Sequence, residues 1–217
     1  MLELVLGAVI AIFITIFVEN LRKPKLSFGL SDPVDHQYEG RPARTARYLL
    51  VDVTNRRLPW YARWMSRDAA LSCHASVSFH HLDGQNVFGR VMPGRWSGST
   101  EPIPMQFVLG GQAGYLLDPT RFTVTSEVDI QPGETKRLDI AARFDDEDCC
   151  FGWSNLSYLS NPVWRNPDWK LPPGRYLVKV TVVCSGEKRT GLFRLVGDVR
   201  QRDFRLVPSL RGDQARE

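Results

Sequence analysis

The sequence is poor in cysteine and histidine and contains a single long apolar run. It has 4 Cys and 4 His among 217 residues, too few cysteines for a disulfide scaffold in a chain of this length. No His stands with Ser or Cys in a recognisable nucleophile motif, and no paired C-x-x-C spacing indicates a zinc site. We therefore predict a protein that is not an enzyme and that holds no metal or cofactor.

The chain also has only a small excess of one sign of charge. The chain carries 28 basic and 24 acidic residues, a formal net charge of +4, and its hydrophobic share is 43%. This balance is that of an ordinary globular protein, and it excludes a wholly disordered or collagen-like chain. The net charge is too small for a surface covered by nucleic acid. Lysine is rare: 22 of the 28 basic residues are Arg, which reflects either genomic composition or a preference for bidentate anion contacts.

The apolar run lies at the start of the chain. Residues 4–18 carry no charge, and residues 1–21 form a plausible membrane span, because a spanning helix needs roughly 17–25 residues. A cleaved signal peptide is disfavoured, since nothing basic precedes the run and a poor cleavage site follows it. A buried core helix is disfavoured because the run is apolar on all sides. We predict a retained transmembrane helix over residues 1–21.

Basic residues follow the run directly. Residues 22–25 form a basic juxtamembrane linker that contains Arg22, Lys23, Pro24 and Lys25, and no Lys or Arg precedes the run. Pro24 marks the end of the helix. The positive-inside rule then predicts a single-pass protein of the inner (cytoplasmic) membrane with its C-terminal domain in the cytoplasm.

Beyond residue 25 the pattern changes to a period of two. Apolar residues alternate with polar ones over 49–54, 72–80, 138–142 and 176–184, which is typical of half-buried strands. Turn signals such as Pro-Gly and Asp-Gly separate these segments. We predict an all-β fold, a β-sandwich with long loops over residues 26–207, and a flexible tail over residues 208–217.

Two segments resemble strands of immunoglobulin-like and fibronectin-like sandwiches. Residues 128–138 contain a Pro-Gly-Glu turn that leads into a strand, and residues 171–180 contain a Pro-Gly turn followed by a Tyr/Val-rich strand. The resemblance implies an immunoglobulin-like sandwich. Such sandwiches serve many purposes, so it implies little about function.

The cysteines allow two interpretations. Cys73 and Cys184 are in phase with the core faces of their predicted strands, so they either bridge the two sheets or are buried thiols in a reducing compartment. Cys149 and Cys150 follow the acidic residues 145–148. That run lacks the alternating spacing of a calcium loop, and we predict a solvated loop there.

Arginine and aromatic residues are interleaved after the first predicted strands. Seven arginines lie between residues 41 and 67: Arg41, Arg44, Arg47, Arg56, Arg57, Arg63 and Arg67. From them we predict an anion- or partner-binding face made of Arg56, Arg57, Trp60, Arg63, Trp64 and Arg67. Such a mixture suits an anionic membrane surface, a nucleic-acid strand or a protein partner. The alternative is a long loop whose Trp residues fold back on the core.

Two further loops carry tryptophan. Trp96 follows a Pro-Gly turn, and Trp164 and Trp169 lie among Asn-Pro pairs. Ordered loops of this kind often form binding edges, and we predict these three residues as anchors for a partner. They equally suit the open end of a sandwich, which they would plug.

Together these features predict a membrane-tethered interaction or accessory protein. Its helix contacts membrane lipid, and its cytosolic β-sandwich binds a partner, a protein in preference to nucleic acid. The layout of residues 4–18, the basic exit at 22–25 and a sensor-sized domain is similar to small transmembrane effectors of prokaryotic defence systems, including those encoded beside Argonaute proteins. The alternative is an anchored, envelope-facing domain that binds carbohydrate or accompanies a hydrolase.

Overall fold

An N-terminal helix and two antiparallel sheets make up the part of the chain that the structure describes. The computed structural model describes residues 2–37, 45–102, 105–110, 112–116, 127–160, 164–185 and 187–209. The predicted basic residues Arg41 and Arg44 and the tail residues 210–217 lie outside the described residues.

The helix α1 runs over Leu2–Arg22. Its 21 residues give a length of about 31 Å at 1.5 Å per residue, close to the thickness of a hydrocarbon core. The helix ends two residues before Pro24, whose ring disfavours a helical conformation in the residue before it.

The first sheet has seven strands. Its central path is β1–β3–β10–β11–β12, while β2 shares one edge of β3 with β1, and β6 shares one edge of β10 with β11. The strands are β1 (Leu26–Leu30), β2 (Val34–Gln37), β3 (Thr45–Asn55), β6 (Arg95–Trp96), β10 (Thr135–Phe144), β11 (Cys150–Gly152) and β12 (Lys170–Leu171).

The second sheet has six strands in the path β15–β14–β13–β4–β5, with β9 also paired to β4. The strands are β4 (Ala70–His80), β5 (Met92–Pro93), β9 (Val128–Ile130), β13 (Arg175–Cys184), β14 (Glu187–Val196) and β15 (Arg205–Pro208). The strands β7 (Met105–Leu109) and β8 (Gln112–Leu116) form a separate hairpin. The predicted all-β sandwich preceded by one helix is confirmed.

The main core lies between the two sheets. Period-two alternation places Val51 of β3, Leu138 of β10, Phe79 of β4 and Val180 of β13 on the inner faces, and all four are fully buried in one cluster. At about 25 cal/mol per Å² of apolar surface, this burial is the main stabilising contribution to the fold.

A bulge in β10 creates a second core on the outer face of the first sheet. The alternation of residues 138–142 predicts Ala142 in phase with Ile140, but the pairing of β10 with β3 shifts between Asp139 and Ala141. Ala141 therefore joins the main core, whereas Ala142 joins a second cluster. An extra residue in one strand reverses the faces beyond it. The outer cluster consists of Ala46, Ala142, Phe144, Cys149, Phe151 and Trp153.

Candidate functional site

The apolar helix is not covered by the sandwich. None of the window Val5–Arg22 is buried, and this window is long and apolar enough to cross a membrane. Large side chains such as Phe13 and Phe17 remain more than half exposed. A helix that is apolar on all sides is normally buried in a protein core or in a bilayer, and within the described chain no core covers it.

A buried amide joins the end of β3 to the residues after α1. Asn55 is fully buried; its Oδ1 accepts a hydrogen bond from the Lys25 amide, and its Nδ2 donates to the carbonyls of Asp68 and Ile130. The Arg56 amide in turn donates to the Lys25 carbonyl. The predicted linker is therefore hydrogen-bonded to the domain.

A second set of contacts holds the last helical turn itself. The Asp68 amide donates to the Arg22 carbonyl over 2.7 Å, and the Arg22 guanidinium donates to the Asp68 carboxylate over 3.1 Å. Arg67 donates through Nη1 to the Lys23 carbonyl over 2.5 Å. The helix end and residues 56–68, which we term the helix-exit loop, are thus tied together by hydrogen bonds.

The helix-exit loop turns its small apolar residues inward and its large aromatic residues outward. A 3-10 turn over Trp60–Ala62 buries Ala62, and Leu58 is buried beside it. Trp60 and Trp64 are 78% and 80% exposed, and Tyr61 is 57% exposed. The alternative that these Trp residues fold back on the core is therefore wrong, because the inward positions are already filled.

The arginines of the predicted face fall into two groups. Arg56, Arg57 and Arg63 are exposed, whereas Arg67 is only 8% exposed. Arg67 therefore does not belong to the open surface, because its guanidinium is committed to the Lys23 carbonyl. Burial lowers the pKa of Arg67, an effect opposed by the charge of Glu187. Arg67 thus connects the domain to the helix end.

A basic cavity lies within the helix-exit loop. It has a volume of about 350 Å³ and is lined by Arg57, Arg63 and Arg67, with only uncharged residues for the rest of its lining. Arg57 reaches it across the turn between β9 and β10, where Gly133 has a φ of +84°. A side chain at Gly133 would collide with Arg57, so the Pro-Gly-Glu turn shapes this cavity.

Two of the three predicted tryptophan anchors are core residues, so that prediction needs correction. Trp96 is 1% exposed and donates from its indole to the Cys73 carbonyl, and Trp169 is 4% exposed within the main core. Only Trp164 stays partly exposed, packed against the outer cluster. Trp96 and Trp169 fill the sandwich because β6 and the turn before β12 place their rings inside it.

Trp164 lines a pocket on the outer face of the first sheet that no single motif indicates. This outer-face pocket has a volume of about 300 Å³. One wall is aromatic: Tyr48 and Tyr158 both pack edge-on against Trp153, with ring centroids 4.8 and 5.5 Å apart. Trp164 adopts a φ of +72°, a conformation that is costly for a non-glycine residue and that often occurs at functional sites.

The other wall of the outer-face pocket contains a buried ion pair. Arg95 Nη1 lies 2.5 Å from Asp139 Oδ2, with side-chain exposures of 4% and 9%. Ser97 donates to the other Asp139 oxygen, and Arg95 Nη2 donates to the Ser99 carbonyl. Burial raises the pKa of Asp139, while the charge of Arg95 opposes the rise. The wall therefore offers a nearly neutral polar surface beside aromatic rings.

The cysteines do not bridge the sheets. Cys73 and Cys184 are unpaired thiols on β4 and β13, which are neighbours in the same sheet. Burial raises the pKa of Cys73 to about 12, with a contribution from the adjacent Cys184 thiol. The interpretation as buried thiols holds, and the bridge between sheets is excluded by topology.

A neighbouring arginine pairs with two of the four carboxylates of the acidic run over residues 145–148. Arg165 lies 2.7 Å from Asp146 and 3.1 Å from Glu147, and Asp145 accepts hydrogen bonds from the amide and hydroxyl of Thr45. These carboxylates close a loop beside the outer cluster.

Comparison of the chain with protein-family models, curated proteins and solved structures finds no match. The functional argument therefore depends on the helix-exit loop and the outer-face pocket.

Proposed function

We propose that the chain is a membrane-tethered interaction protein. In this proposal α1 is a single transmembrane anchor, and the β-sandwich binds a partner. The observation that carries it is an apolar helix of which no part of the spanning window is buried, beside a domain to which the residues at the helix end are hydrogen-bonded. A soluble protein rarely leaves so large an apolar surface uncovered.

The basic residues at the helix exit support a cytoplasmic domain in the inner membrane. Arg22, Lys23 and Lys25 follow the span directly, and cytoplasmic flanks of membrane spans are enriched in such basic residues. The layout of anchor, basic exit and sensor-sized domain supports a role as an accessory subunit or effector in a prokaryotic defence system. In that role the partner binds the sandwich, and the resulting conformational change reaches the helix through the hydrogen bonds that tie residues 22–25 to the domain. We term these contacts the junction.

Topology is the decisive test of this proposal. A reporter that is active only in the cytoplasm is fused to the C-terminal end of the chain, and we expect activity in a membrane fraction that resists alkaline extraction. Changing Arg22, Lys23 and Lys25 to Glu should weaken that preference, because orientation follows nearby basic residues. Loss of this activity, together with activity of a second C-terminal reporter that works only outside the cytoplasm, would refute the cytosolic orientation.

The matched control lies at the far end of the sandwich. Arg200, Arg202 and Arg205 are exposed and stand more than 170 positions after the helix, so their replacement by Glu makes the same change of charge. Because only residues near the span set orientation, this control should leave topology unchanged.

A second candidate function is an envelope-facing domain that binds carbohydrate. The outer-face pocket favours it, since aromatic rings beside Arg95 and Asp139 combine an apolar platform with hydrogen-bonding groups. The same reporter separates the two functions, because this candidate requires the domain to lie outside the cytoplasm.

A further inference from the structure

We infer that the helix-exit loop is a second membrane contact: its Trp60, Tyr61 and Trp64 rings insert into the headgroup layer of the bilayer that α1 crosses, and its arginines bind anionic phospholipid phosphates. This inference rests on the proposed membrane tether, and it adds a fixed docking mode to it.

The position of the loop carries the argument. The Asp68 amide bonds the Arg22 carbonyl, and Arg67 bonds the Lys23 carbonyl, so the loop lies beside the last turn of the span. That turn stands at the boundary between hydrocarbon and headgroups when α1 crosses the bilayer. The loop is therefore held where tryptophan and tyrosine are enriched in membrane proteins.

The orientation of the rings agrees with this position. Trp60 and Trp64, four residues apart, are the most exposed large apolar side chains of the described residues after α1. Each indole combines an apolar body with one N–H donor, which suits a layer that is apolar on one side and wet on the other. Water alone gives no reason to expose both rings while Ala62 and Leu58 occupy the inside of the loop.

Charge points to an anionic lipid rather than a neutral one. Residues 22–25 and 56–68 contain seven basic residues and one acidic residue, and the acid, Asp68, is paired with Arg22. The cavity between Arg57, Arg63 and Arg67 has no acidic lining residue, so a phosphate oxygen placed there meets guanidinium donors and no carboxylate of the lining.

The test uses the full chain in proteoliposomes of anionic phospholipid. In one sample a fraction of the lipid carries bromine near the headgroup, and in a second sample the bromine lies near the end of the acyl chain. The quenching of tryptophan fluorescence is then compared between the two samples. We expect shallow bromine to quench strongly and deep bromine weakly. Replacing Trp60 and Trp64 with Phe should abolish the shallow quenching, because the buried tryptophans of the sandwich are out of reach.

Trp164 supplies the matched control for the rings. It is partly exposed and lies in the wall of the outer-face pocket, so Trp164→Phe removes one indole elsewhere in the domain and should leave the shallow quenching intact. Both Phe variants keep an aromatic ring, and circular dichroism checks that each is folded. Equal loss of quenching in the two variants would overturn the inference.

The arginines are tested by charge reversal. We call a molecule docked when its helix-exit loop contacts the bilayer, as reported by shallow quenching. Changing Arg56, Arg57 and Arg63 to Glu should lower the ratio of docked to undocked molecules by about a hundredfold or more, because each basic residue at an anionic surface contributes about fivefold. The control reverses the charges of Arg200, Arg202 and Arg205, which are exposed. Arg202 contacts Arg47 near the start of β3, at the opposite end of that strand from Asn55 and the helix exit. This control should leave docking unchanged. Raising the salt concentration should weaken docking of the wild type.

The outcomes separate this inference from the tether itself. If the chain resists alkaline extraction but shallow bromine does not quench it, docking is wrong and the tether stands. If alkali extracts the chain, the tether is wrong. If docking is equal on neutral and anionic lipid, or if added single-stranded DNA displaces the loop from anionic lipid at equal phosphate, the assignment of the arginines to lipid phosphate is overturned.

Discussion

Removal of one partner from the Arg95–Asp139 pair tests the interior of the outer-face pocket. The pair is almost fully buried, with a 2.5 Å contact, and Asp139 has a second donor in Ser97. Arg95→Met leaves a buried carboxylate, and Asp139→Leu leaves a buried guanidinium. Each single change should lower the free energy of unfolding by about 3–5 kcal/mol, because an uncompensated buried charge is strongly destabilising.

The double variant gives the opposite expectation. With both charges replaced by apolar groups of similar volume, the free energy of unfolding should lie within about 2 kcal/mol of the wild type, since neither charge remains unpaired. The two changes are therefore strongly non-additive, as expected for groups in direct contact. Denaturant unfolding of the full chain in mild detergent, followed by tryptophan fluorescence, measures all three variants.

An exposed ion pair supplies the control. Arg175 and Asp198 are in contact at 2.9 Å, but their side chains are 61% and 38% exposed, so Arg175→Met should cost no more than about 1 kcal/mol. If Arg95→Met costs as little as that control, or if the double variant loses the sum of the two single effects, then water screens the buried pair and the reasoning about this wall is wrong.

Two further outcomes follow from burial in the second sheet. Val180→Asp should prevent folding, because Val180 is 0% exposed and an unpaired carboxylate there costs several kcal/mol. The control Val183→Asp lies on the same strand at a 44% exposed position, and this variant should melt cooperatively near the wild-type temperature. The reverse ranking would mean that the strand faces are misassigned. Burial raises the pKa of Cys73 from 9.0 to about 12, so the native state holds its proton more tightly than the unfolded state does. The contribution of this thiol to stability is complete below about pH 8.5 and is lost as the pH rises toward 12. Urea unfolding at pH 7.5 and pH 10 should therefore show an alkaline loss that Cys73→Ala reduces, and an equal loss in both proteins would contradict it.

Periodicity predicted the elements with the most regular burial. On β3, Val51 and Val53 are inward as their alternation requires, and on β13 Val178, Val180 and Val182 are all fully buried. A run of this kind has one register that buries its apolar face, so tertiary structure reinforces the local pattern.

The structure differs from the sequence-based predictions where backbone geometry or residues distant in the chain determine which side chains are buried. The bulge after Asp139 carries no clear local signal in the alternating run, yet it moves Ala142 to the other face. The interleaving of arginine and aromatic residues predicted a binding face in the helix-exit loop, but the burial of Arg67 depends on its hydrogen bond to Lys23, 44 positions earlier in the chain. Trp96 also reads as a loop residue in the sequence, and only its pairing with β10 turns the ring into the sandwich.

The outer-face pocket was even less predictable from the sequence. Its walls join residues from β3, β6 and β10 with residues of the segment after β11, and Tyr48 and Trp153 stand 105 positions apart in the chain. The only local signal was the concentration of tryptophan around Trp164, which singled out the segment without showing that Trp164 lines a pocket together with Tyr48 and Arg95. Long-range pairing of this kind is not encoded in any short window.

Asn55, the last residue of β3, is hydrogen-bonded to Lys25, three residues after α1, and this contact fixes where the strand begins relative to the helix end. No free tether separates the last helical turn from Asn55, so the sandwich cannot sweep through a volume as a domain on a flexible linker does. Tyr48 lies seven residues along β3 from Asn55, so its wall of the outer-face pocket is at most about 23 Å from Asn55 along the strand. If α1 anchors the chain as proposed, a partner in the same membrane would meet this pocket by moving in the plane of the bilayer, whereas a partner outside that membrane would have to span the distance itself.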